Sequence, residues 1–162
     1  MGVVKTLVLG LGNPILTDDG VGVRVAEAVR QLLPPDTSVT VSEASVGGLG
    51  LMERLLGFDR VILIDALHRE ENQPGVVHRM TLADLRAISP TQHSASAHDT
   101  SLATAMEMGE RMGLPLPEEI IIYAIEVDNI IDFGEALTPA VARAIPQVAA
   151  VVLDELNKEK ES

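Results

Sequence analysis

The residues of this chain best suited to chemistry are acids and histidines at the ends of apolar runs. They are Asp18 and Asp19 after the glycine turn of GLGNPILTDDG (10–20), Asp65 closing VILID, and His93 and His98 flanking SASA ahead of a helix. Two carboxylates and one neutral imidazole are suitable donors for a first-row divalent metal, and three protein ligands leave positions open for substrate or water. Such a mixed set is not specific to zinc, and nickel suits it chemically. Asp18 is read as a helix cap; a cap needs only one acid, which leaves Asp19 for a ligand. Asp65 ends a run as apolar as Val61-Ile62-Leu63-Ile64, where an acid points to function more than to packing. Either His93 or His98 could complete the set, whereas His68 in a polar loop and His78 on an edge strand are expected to be solvated.

A glycine turn after a strand also opens dinucleotide-binding motifs, but Gly10-x-Gly12 has Ile15 at the third glycine position. Asp18 and Asp19 would then set negative charge where a pyrophosphate should sit. The charge at this turn suits a cation.

These residues need a scaffold that brings strand ends together, and the periodicity predicts one. VVKTLVLGLG is a buried strand feeding a turn, and the helix after it carries Val21, Val25, Ala28, Val29 and Leu32 on one stripe until Pro34-Pro35 stops it, with Thr17 or Asp18 as its cap. SVTVSEA is a second strand, LGLMERLLG a short helix closed by Gly57, and RVILIDA a third strand buried on both faces. GVVHRMTL is an edge strand followed by a helical turn at LADLRA. A helix from Asp99 to Met112 shows one face of Leu102, Ala105, Met106, Gly109 and Met112, and EEIIIYAIEV is a further strand. The last helix has Thr138 as N-cap, Pro139 at its first position and Pro146 within it, where a missing N–H should kink or divide it. Strands alternating with helices predict a three-layer α/β/α sandwich on a mainly parallel sheet, in which ligands bind at the carboxyl ends of the strands. Residues 1–162 form one domain on this reading, with 157–162 a frayed tail.

Composition narrows the function. There are 24 acidic against 12 basic residues, a net charge of −12, which repels nucleic acid and anionic membrane. With no cysteine there is no disulfide, thiolate nucleophile or Cys-ligated metal. No apolar run reaches the length of a membrane span and no cleavable leader is evident, so the cytoplasm is the expected compartment.

Taken together, LVLGLGNPILTDDGVGVRVAEAV, VILIDA and HSASAHDTSL before a helix resemble the endopeptidases that mature the large subunit of nickel–iron hydrogenases, over nearly the whole chain. The resemblance implies a sandwich with a five-stranded sheet and removal of a C-terminal extension from the large-subunit precursor once nickel is inserted. It also implies that Asp19, Asp65 and His98 are the metal-binding and catalytic residues, with nickel presented by the substrate and other divalent metals bound only weakly by the free protein. The stretch EASVGGLGLMERL departs from the Asp-Gly-Gly-Thr found in many members, which leaves open which hydrogenase group is served. Two rival readings stand beside this one. A non-catalytic assembly factor could grip nickel or the precursor without cutting. Peptidyl-tRNA hydrolases share GLGNP but continue differently, and an acidic surface is ill suited to tRNA.

Overall fold

The computed structural model describes residues 2–87 and 98–158. The apolar runs form β1 (Thr6–Leu11), β2 (Thr40–Ala44), β3 (Arg60–Leu67), β4 (Val77–Thr81) and β5 (Glu119–Glu126). They make one five-stranded sheet in the order β2-β1-β3-β5-β4, parallel except for the antiparallel β4–β5 pair. Every residue of β3 is buried, as a central strand covered on both faces requires, while β2 and β4 form the partly exposed edges.

The helices are α1 (Val21–Leu32), α2 (Gly48–Leu55), α3 (Leu82–Ala87), α4 (His98–Arg111) and α5 (Pro139–Lys158). Alternation along β3 divides them into two layers. Ile62 and Ile64 pack with Val21 and Val25 of α1 and with Val148 and Val152 of α5. Val61 and Leu63 face the other way, onto Leu51 and Leu55 of α2 and Leu102 and Met106 of α4. Burying each of these side chains contributes roughly 1.5–3 kcal/mol, so the strand with two apolar faces holds both helix layers to the sheet. This is the expected α/β/α sandwich. Among the described residues no helix is long and apolar enough to cross a membrane.

Three local expectations are corrected. Thr17–Gly20 form a separate 3-10 turn, and α1 starts from Gly20 without a side-chain cap, because the Asp18 carboxylate is taken up by another loop. Leu32 and Met112 are exposed: Leu32 is the last residue of α1 and Met112 follows the last residue of α4, both beyond the residues packed on the sheet. Pro146 does not divide α5, which runs unbroken for 20 residues. Val141 and Ala144 before it and Val148 and Val152 after it are buried in one cluster, so packing on both sides offsets the lost hydrogen bond.

Candidate active site

Helices α1, α2 and α4 each lead into a strand of the parallel set, so each begins at the edge where β1 and β3 end. Close backbone contact fixes the first of these starts. A Cβ on Gly22 would collide with the carbonyl oxygens of Leu11 and Ile64, so only glycine lets α1 rest directly on the ends of β1 and β3. Gly12, at φ +134°, turns the chain off β1, and a Cβ there would strike the Asp19 carbonyl. The glycine turn thus brings the acidic 3-10 turn back over the strand it left.

On that turn Asp19 is half-buried, and its Oδ2 accepts a hydrogen bond from the Asn13 N–H at 2.8 Å. The Asn13 side chain accepts from the Ile15 N–H at 3.1 Å, which ties the loop to itself. Asp65 lies near the end of β3, in register with Ala124 of β5, and is only 2% exposed. It shares the strand face of Val61 and Leu63, the one covered by α2 and α4, and its Oδ1 accepts the Ala66 N–H at 2.8 Å. Helix α4 starts at this edge with His98, whose side chain lies outside the described residues, as does all of His93. The fold therefore brings Asp19, Asp65 and the backbone of the first turn of α4 to one rim. Among the described residues no three His, Cys, Asp or Glu side chains group as a metal site.

Asp18, adjacent to Asp19, does something different. It is fully buried, and its carboxylate accepts from the N–H groups of Asp128 (2.9 Å), Asn129 (3.0 Å) and Thr138 (2.8 Å) and from the Thr138 hydroxyl (2.6 Å). It bolts the loop between β5 and α5 to the glycine turn. Thr138 does precede α5 as expected, with its hydroxyl given to Asp18. Paired loops reinforce the bolt: Thr17 N–H to Gly134 O, Gly134 N–H to Ile15 O and Asp18 N–H to Asn129 O lie at 2.8–2.9 Å.

His78 is not simply solvated. Its Nε2 lies 2.8 Å from Glu126 Oε2, on the sheet face shared with Met80. Burial opposes ionisation of Glu126, but hydrogen bonds from His78 and the Gln73 N–H outweigh it and hold the carboxyl below the usual glutamate range. On the opposite face a cluster of polar side chains surrounds Glu155 of α5. Arg79 Nε (2.6 Å), the Tyr123 hydroxyl (2.8 Å) and Arg60 Nη2 (3.3 Å) all reach its carboxylate. Burial opposes its ionisation too, and Arg79 and Tyr123 reverse the balance, so Glu155 is held below the usual range. Burial, then the hydrogen bond to Glu155, pushes the Tyr123 phenol up to about 12.

Sequence reasoning missed the β5–α5 loop, which has no hydrophobic periodicity to report. The available signal was composition: NIIDFGE puts one of only two phenylalanines in a polar segment just past a strand end.

A model of the hydrogenase maturation protease family matches residues 23–155. Hydrogenase 2 maturation protease of Escherichia coli is 27% identical over 155 residues, 96% of this chain and 92% of that protein. Hydrogenase expression/formation protein HupD of Rhizobium leguminosarum is 28% identical over 142 residues, 88% of this chain and 69% of that one. The solved hydrogenase maturating endopeptidase HybD from E. coli superposes with a TM-score of 0.78 at 26% identity, covering 96% of this chain and 93% of its own. HybD from Thermococcus kodakarensis gives 0.68 at 25% identity, over 94% and 98%.

Proposed function

The chain belongs to the hydrogenase maturation protease family, and from that premise we propose that it removes the C-terminal extension of a nickel–iron hydrogenase large-subunit precursor after nickel insertion. Nickel enters as part of the substrate, with Asp19, Asp65 and His98 as the groups that hold it, and the reaction runs in the cytoplasm. The observation that carries this reading is the shared rim: a buried acid ending β3, a second acid on the adjoining turn, and α4 starting at the same edge. Hard oxygen donors with one imidazole fit a borderline divalent cation.

A bound cation supplies polarisation of the scissile carbonyl or a more acidic water. The chain's own residues orient the peptide, and a carboxylate oxygen of Asp19 or Asp65 takes the proton of the attacking water; the proton then leaves with the amine as the C–N bond breaks. An open set of three ligands means that the free protein binds other divalent metals weakly and reversibly, unlike a closed structural site. Recognition of the metal makes insertion the checkpoint for cleavage.

The test is the intact mass of the nickel-loaded precursor before and after incubation with the protein and with its Asp65→Ala variant. Loss of a C-terminal peptide with the wild type, slowed by at least ~10²-fold in the variant, supports the reading. A precursor that is bound but never shortened transfers the chain to the assembly-factor reading. A precursor neither bound nor shortened overturns both.

A further inference from the structure

The bolted β5–α5 loop presents something the proteolytic reading does not use. Ile131 and Phe133 are 82% and 83% exposed, and Ile15, on the loop paired with them, is 48% exposed. Isolated exposed apolar residues are ordinary, but these stand together on two loops joined by hydrogen bonds. Leu16 and Gly134 form a parallel bridge, so Ile15 and Phe133 precede bridge partners and lie side by side. In a chain with 2% aromatic residues, one of two phenylalanines is spent on solvent.

The tip is held in shape. Asn129 Oδ1 accepts from the N–H groups of Ile131 (3.0 Å) and Asp132 (3.1 Å), Asn129 Nδ2 donates to Asp132 Oδ2 (2.8 Å), and the Thr17 hydroxyl donates to Asp132 O (2.5 Å). Apolar side chains on a preformed backbone lose little entropy when covered, which is what a binding surface needs. The surrounding charge selects the occupant. Residues 128–136 carry Asp128, Asp132 and Glu135 and no lysine or arginine. The nearby Arg24 donates to the Glu135 carbonyl at 3.1 Å and pairs with Glu27 at 3.7 Å. A second copy of this chain, at net charge −12, is repelled by such a surface.

We propose that Ile15, Ile131 and Phe133 form the seat on which the precursor docks, through a segment combining apolar side chains with lysine or arginine. The seat adjoins Asp19, two residues from the Thr17–Gly134 pairing, so docking there delivers the adjacent peptide to the rim. This rests on the protease reading.

The experiment measures initial cleavage rates against nickel-loaded precursor concentration for the full-length wild type and an Ile131→Ser, Phe133→Ser double variant. The expected result is a KM raised about tenfold or more with kcat within roughly twofold, since uniform binding is lost and chemistry is untouched. Both side chains are exposed, so the unfolding midpoint should not move. An Asp132→Asn, Glu135→Gln variant should raise KM by a smaller factor and flatten its salt dependence. Wild-type cleavage with an unchanged KM in the double variant overturns the seat and leaves the protease reading standing. A wild-type dimer lost in the variant with KM unchanged also overturns it, and assigns the patch to a second copy. If the wild type binds the precursor without cutting it, the protease reading fails; a tenfold weaker affinity of the double variant then upholds the seat, and equal affinity overturns it.

Discussion

Asp18 and Glu155 are both buried acids, and the chain stabilises them by opposite means. Asp18, at the rim, draws on neutral donors, three backbone N–H groups and one hydroxyl from the loop leading into α5. Glu155, on the sheet face covered by α1 and α5, draws on two guanidinium groups and a phenol from β3, β4 and β5. The difference has a structural consequence. Backbone donors belong to the chain path itself, so the acid that recruits them dictates where a loop runs. Charged side chains join elements whose paths hydrophobic packing already sets. The Asp18 carboxylate therefore helps to set the rim's shape, together with the paired loop backbones, while the Glu155 cluster serves stability.

Removing either acid tests that division. Glu155→Ala removes the buried carboxylate beside Arg60, which is 3% exposed and keeps the Glu155 carbonyl and Glu119, and should cost about 3–5 kcal/mol in denaturant unfolding. It should leave kcat/KM for the precursor intact at temperatures where the protein is folded; a loss of cleavage there would break the comparison. Asp18→Asn retains one acceptor oxygen but turns an NH₂ toward donors. A smaller loss of about 1–3 kcal/mol should follow, with a raised KM because the Ile131–Phe133 tip loosens. An Asp18 variant with normal KM would mean that the loop holds its path without the bolt.

The smallest effects are in pH dependence. Because Glu155 and Glu126 titrate below the ordinary glutamate value of 4.5 in the folded chain, their contribution is complete above that value and is lost as pH falls through the folded ones. Tyr123 is raised from 10.0 to about 12, so its contribution is complete below pH 10 and fades as pH climbs toward 12. Unfolding free energies across both limbs should show the alkaline decline vanish in Tyr123→Phe, where no phenol remains to ionise.

The sequence alone determined the order of strands and helices, the fully buried β3, the glycine turn and the acids at strand ends. Each of these is written in local terms: β-branched runs, helical stripes, and glycine where a Cβ has no room. It also carries the resemblance to the family to which the chain belongs. What the tertiary structure decided was where the Asp18 carboxylate binds. A local rule makes Asp18 a cap for the next helix, yet it meets donors 110 to 120 residues away, while the Asp19 bond to the Asn13 N–H lies within the turn. His78 looked solvated because its partner, Glu126, is 48 residues off. The outward placement of Phe133 depends on bonds that its neighbours Ile131 and Asp132 make to Asn129 and Thr17, which spacing cannot show. Periodicity reports burial, which repeats along a chain; hydrogen-bond partnership between distant segments has no period, and only folding assigns it.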